Sequence, residues 1–164
     1  MAHSPESVAN EFLARAKSDR RKLSPMQLQK LVYIAHGWNL AVNDEPLVKE
    51  KAEAWQWGPV YPSLYDSLKR YGSGEVSGQI HKNNWASDEA VRGPVIVEFF
   101  TSDETAVINK VWEQYGDLEA FQLSALTHDK GTPWTECYDR THHKVIPDRA
   151  IRKHFLELAT QRAA

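Results

Sequence analysis

Leu28-Gln29-Lys30-Leu31-Val32-Tyr33-Ile34-Ala35-His36-Gly37-Trp38 is the stretch on which the fold turns. It lies in a longer segment opened by Ser24-Pro25. Ser caps helices well, and Pro suits the first helical position. Leu28, Leu31, Val32, Ala35, Trp38 and Val42 recur at three- and four-residue spacing and make one apolar stripe, with Gln27, Lys30 and Asn39 opposite. The spacing predicts a helix to about Val42 that forms the central core element.

Working outward, Ser4-Pro5 repeats the start signal, and Val8, Phe12 and Ala16 follow at intervals of four. The cations Arg20-Arg21-Lys22 near that helix's end oppose its negative dipole end. Asn43-Asp44-Glu45-Pro46 reads as a turn, and Leu47 to Ala54 as an extended stretch or one helical turn. Tyr61-Pro62 begins a third helix with Leu64, Tyr65 and Leu68 inward and Gly72 ending it. Residues 73–93 read as a polar loop with a short strand near Gln79 to His81, pairing in a ribbon with the β-leaning run Val95 to Phe100. Ser102 caps a fourth helix with Val107, Ile108, Val111, Trp112 and Tyr115 on its apolar face. Asp117 caps a short fifth containing Leu118, Phe121, Ala125 and Leu126. Thr132-Pro133 opens a sixth carrying Trp134, Cys137 and Tyr138, and Pro147-Asp148 opens the last, with Ile151, Phe155, Leu158 and Ala159 on one side. No repeat or long linker divides the chain. The expectation is a mainly α fold: a single helical domain over residues 1–164, of about six to seven helices, with a minor β element.

The 164 residues carry a formal charge of −2, which argues against direct nucleic-acid binding. No apolar run approaches the roughly 18 residues of a membrane helix. Met1 to Asn10 lacks the apolar core of a signal peptide, and a single Cys excludes an intrachain disulfide, so the expected compartment is the cytoplasm.

Catalytic signatures are weak. Cys137 with His142 and His143 offers three zinc-ligand types without the paired spacing of a metal site, and the preferred reading is a half-buried thiol beside exposed imidazoles. A Cys137 nucleophile needs a thiolate stabilised by a helix N-terminus or a cation, whereas Asp139 nearby raises the thiol pKa. His128 beside Asp129 resembles an oriented imidazole, but a His at such a corner more often fixes a turn through backbone bonds. Asp88-Glu89 and Asp103-Glu104 read as caps, and Gly72-Ser73-Gly74 lacks the rest of a phosphate loop. The cluster Arg15, Lys17, Arg20, Arg21 and Lys22 is read as a solvated helix end. No catalytic residue, metal or cofactor is assigned. The runner-up readings are a proteolytic adaptor and a small hydrolase using His128 with Asp129 or Cys137.

Ala54-Trp55-Gln56-Trp57-Gly58-Pro59-Val60-Tyr61-Pro62-Ser63-Leu64-Tyr65 is the other informative stretch. Its rings bring large area with few rotatable bonds, and Gly and Pro present them in one geometry. It is a rigid core corner or a preformed surface for a partner.

Three segments together carry a family resemblance. Leu28 to Trp38, Glu53 to Tyr65, and Leu126-Thr127-His128 followed by Pro133-Trp134 resemble, in order, the three motifs of the Panacea domain family, also called SocA-like antitoxin domains and described as phage-associated. The likeness spans roughly Leu23 to Phe155. It implies a small, mostly helical, non-enzymatic protein that neutralises a cognate toxin by direct binding, the toxin being encoded by the adjacent gene. A homo-oligomer is compatible with it. Some members carry an added DNA-binding segment, for which the 22 residues before the first motif are too few. Gln29, Lys30, Trp38, Trp55, Gly58, Pro59, Pro62, Tyr65, Thr127, His128, Pro133 and Trp134 match the motifs and are read as structural. The expected toxin contact is the exposed set Gln56, Trp57, Tyr61 and Lys69, with the 73–93 loop.

Overall fold

A computed structural model describes residues 1–163. The protein is mainly helical, as its periodicity predicts. In chain order come α1 (Pro5–Ser18), α2 (Pro25–Asn43), β1 (Glu53–Trp55), β2 (Gly58–Val60), α3 (Pro62–Leu68) and a 3-10 turn (Lys69–Tyr71). Then follow α4 (Glu89–Arg92), α5 (Ser102–Tyr115), α6 (Ala120–His128), α7 (Pro133–Cys137) and α8 (Asp148–Ala163). The element beyond the expected seven is α4, a single turn inside the 73–93 loop, capped by Asp88 through the Ala90 N–H at 3.0 Å. Among the described residues no helix is long and apolar enough to cross a membrane.

The caps explain where the long helices start. Ser4 and Ser24 accept the N–H groups of Ser7 and Gln27, and Gln27 returns a bond to the Ser24 N–H. The fourth expected helix begins one residue early, because Thr101, not Ser102, is the cap and pairs with Glu104. Asp117 does not cap α6; it pairs with Arg21, and the helix opens at Glu119, whose N–H donates to Gln122 at 2.8 Å.

α2 is the centre, packed by α1, α3, α5, α6, α8 and β2. It is buried nearly all round, so the one-stripe expectation is corrected: Lys30 and Asn39, placed on the solvent face, are each 1% exposed, while Val42 faces out. Asn39 is there to donate to the Glu45 carbonyl at 2.8 Å and hold the turn after the helix. Gly37 is the closest approach of α8; a Cβ there would overlap the Phe155 ring.

The β element is misplaced by the sequence. The antiparallel pair is β1 with β2, register Glu53 to Val60, Ala54 to Pro59 and Trp55 to Gly58. Segment 144–146 lies along the other edge of β1, through Ala54 N–H to the Lys144 carbonyl and Ile146 N–H to the Ala52 carbonyl, both 2.8 Å. The expected ribbon of Gln79 to His81 with Val95 to Phe100 reduces to one bridge, His81 to Val95. Asn10 of α1 stops it from growing: its amide donates to the Ile80 and Ile96 carbonyls, and its oxygen accepts the Ile80 N–H at 2.6 Å.

Candidate partner interface at the aromatic hairpin

Gln56 and Trp57 form the two-residue turn of the hairpin. Neither has a positive φ; the turn puts that demand on Gly58, at +117°. Pro59 is tolerated in β2 because the Ala54 N–H opposite it already points to Lys144.

The hairpin is held by its main chain at alternate residues. The Trp55 carbonyl accepts from Trp134 Nε1 of α7 at 2.6 Å. The Trp57 carbonyl accepts from Ser124 Oγ of α6 at 2.7 Å. The Pro59 carbonyl accepts from Lys30 Nζ of α2 at 2.9 Å. Tyr61 gives its N–H to Gln29 Oε1 at 2.9 Å, and its carbonyl accepts from Gln29 Nε2 at 3.1 Å. α2 and the sequence-adjacent pair α6 and α7 thus converge on one strand-turn-strand unit. Side chains, not a wider sheet, satisfy carbonyls that burial would otherwise leave unpaired.

Lys30 has no carboxylate partner among the described residues, and burial pulls its amine down to about 7. Its Nζ and the Thr127 hydroxyl occupy the space next to Gly58: an added Cβ would lie 3.1 and 3.2 Å from them. Thr127 itself donates back to the Leu123 and Ser124 carbonyls at 3.0 Å.

Around this clamp lie the rings. Trp55 stacks on His143 at 4.3 Å between centroids and meets Tyr65 at 5.0 Å. Trp134 stacks on Tyr138 at 4.5 Å and takes the edge of His128 at 5.1 Å. Trp57 is 59% exposed and Phe121 71% exposed. Phe121 stands one turn before Ser124 on α6, so it shares the helix face whose hydroxyl holds the Trp57 carbonyl. Gln56 and Lys69 are exposed as well, Lys69 beside Asp66 at 3.6 Å. Tyr61, expected on this surface, is fully buried under α2 and leaves the candidate set; its residue fills the core while its backbone serves Gln29. Trp38 lies away from the hairpin, on Phe155 of α8 at 5.2 Å, and Pro62 and Pro133 start α3 and α7.

The catalytic candidates do not assemble. His128 Nδ1 contacts the Ser124 carbonyl, and the Asp129 carbonyl instead accepts from Thr132 and Thr135. Cys137 is half-buried, with its thiol raised by burial and by Glu136. His142 lies beside Thr141 and Asp139 while His143 covers Trp55, and no three metal-ligating side chains converge among the described residues. A His–Asp pair that the sequence did not suggest does exist: His36 Nε2 donates to Asp148 at 2.9 Å while Nδ1 accepts the Leu47 and Val48 N–H groups. Both ring nitrogens are thereby used in tying α2 to α8 and to the segment before β1.

A sequence model of the family described as "Antitoxin SocA-like, Panacea domain" matches residues 28–135. The chain belongs to the SocA-like Panacea domain family. All three groups of clamp residues, from Gln29 to Trp134, fall inside the matched region of this Panacea domain. The protein is also similar to a relative named Antitoxin SocA from Caulobacter vibrioides (strain NA1000 / CB15N), 32% identical over 128 residues. That alignment covers 78% of this chain and 66% of the relative, just under two thirds of its length. No solved structure matches the chain.

Proposed function

We propose that this Panacea domain is the antitoxin of a toxin–antitoxin pair, acting by direct, non-enzymatic binding of a toxin protein in the cytoplasm, the toxin being the product of the adjacent gene. Family membership and the name of the Caulobacter relative support the role. The observation that carries the mode of action is the hairpin tip. Its backbone is fixed at Trp55, Trp57 and Pro59, its indole is exposed, and the exposed Phe121 lies one helical turn from the Ser124 that holds the Trp57 carbonyl. A rigid aromatic surface loses little entropy on binding and supplies the anchors that dominate protein interfaces. Gln56 and Lys69 extend the same contact.

The test is co-expression with the neighbouring gene product. The expected result is a neighbour that is toxic alone, harmless beside this protein, and co-purified with it. A neighbour that is harmless alone, or that stays toxic and unbound in its presence, ends the reading.

A further inference from the structure

The end of α1 and the segment after the 3-10 turn enclose a groove of about 880 Å³ that shares no residue with the hairpin surface. Its size falls within the range of ligand-binding clefts. Buried Leu13, Ala16, Leu23 and Val76 form its floor, and the Val76 N–H bonds the Leu23 carbonyl at 2.8 Å, joining the two walls. Lys17, Arg20, Arg21 and Lys22 line the rim. Two of these are engaged: Arg21 pairs with Asp117 and covers the Trp112 ring, and Lys22 pairs with Glu75 at 3.2 Å. Glu75 is the one carboxylate lining the groove, and it is therefore already neutralised. Neighbouring Asp19 is turned to Trp112 Nε1 at 2.7 Å. Lys17 and Arg20 are exposed and make no ion pair among the described residues.

Arg20 carries a second signal. α1 ends in a Schellman motif, with Arg21 N–H bonded to the Ala16 carbonyl and Arg20 N–H to the Lys17 carbonyl. The position after the cap, which this motif gives to Gly or Asn, holds Arg20 at φ +57°. A bulky side chain is strained there, and such strain persists where the side chain is needed.

We propose that this groove binds an extended acidic segment of a protein partner, with its carboxylates on Lys17 and Arg20 and its apolar residues on the Leu13, Leu23 and Val76 floor. The apolar floor and the chain's net charge of −2 favour a peptide over a phosphate backbone. The idea is independent of the toxin-binding reading and needs no toxin for its test.

The probe is a dodecapeptide of alternating Glu and Leu, titrated into ¹⁵N-labelled protein, with a Lys/Leu dodecapeptide and a twelve-nucleotide oligo-dT as comparisons. The Glu/Leu peptide is expected to shift the amides of Lys17, Arg20, Ser77 and Gly78, more strongly at low salt. The double variant Lys17→Glu, Arg20→Glu loses affinity by about tenfold or more. Arg20→Gly weakens binding while raising the melting temperature, since Gly suits the left-handed position, so loss of binding there is separated from loss of fold. Absent or scattered shifts, unchanged affinity in both variants, or tighter binding of oligo-dT at these amides each overturn the proposal.

Discussion

Replacing Lys30 with Met tests the buried clamp through the pH dependence of stability. The amine has an ordinary value of 10.5 and is drawn to about 7 by burial in the fold. Between those values the unfolded chain binds a proton that the folded chain does not, so stability rises with pH. Below pH 7 the folded state bears the whole penalty, about 5 kcal/mol for a shift of this size. From pH 7 to pH 9 the stability contributed by this group climbs by about 2 kcal/mol. Lys30→Met removes the penalty but leaves the buried Pro59 carbonyl without its donor, a pH-independent loss of about 1–3 kcal/mol. The variant is therefore expected to match or exceed the parent near pH 7 and to fall behind by about 2 kcal/mol, relative to that starting point, at pH 9. Urea unfolding of both proteins at pH 7, 8 and 9 measures the difference, and taking the difference cancels groups common to the two chains. Stopping at pH 9 also avoids the buried phenols of Tyr33 and Tyr61, which burial pushes well above their ordinary range and which destabilise the fold only in stronger base. A parent-minus-variant difference that is flat across this window would refute the assignment of Lys30 as an uncompensated buried amine.

Gly37→Ala drives a methyl into the Phe155 ring at the α2–α8 crossing and should cost about 1–3 kcal/mol by urea unfolding, against a few tenths of a kcal/mol or less for a crossing with room to spare. Trp57→Ala with Phe121→Ser should abolish toxin protection in co-expression while leaving the melting temperature within about 2 °C, because both side chains are exposed and the Trp57 contribution to the clamp is its carbonyl. Tyr33→Phe removes a buried hydroxyl that has no protein partner, so it should change stability by less than about 1 kcal/mol, and a larger loss would show an unrecognised bond.

What the sequence made legible was apolar period and capping chemistry. Those signals place α1, α2, α5 and α8 to within a residue or so, since caps and 3-4 spacing are local properties. The hairpin was hidden for a local reason too. Strands of three residues are too short to show alternation, and β2 begins with Gly and Pro, which lack β-propensity, so Gly58-Pro59 reads as a break. Lys30 reads as solvent-facing because a Lys opposite an apolar stripe is ordinarily exposed; nothing local reveals a carbonyl 29 residues on that needs a donor. The apolar Phe121 and Leu126 are exposed, and α6 packs instead through Leu123 and the hydroxylated Ser124 and Thr127. A Ser and a Thr three apart among apolar residues was the available clue that this face meets backbone. The His36–Asp148 pair spans 112 residues and gave no signal.

The clamp also explains how such a surface tolerates change. A tip secured through side-chain contacts would deform whenever its side chains varied. Here the bonds run to the carbonyls of residues 55, 57 and 59, groups that every substitution retains. The side chains of Gln56 and Trp57 can therefore change without loosening the tip, while Gln29, Lys30, Gly58, Ser124 and Trp134 cannot. On the proposed antitoxin reading, recognition and folding are separable within one twelve-residue segment: the backbone belongs to the scaffold, which leaves the exposed rings for a partner.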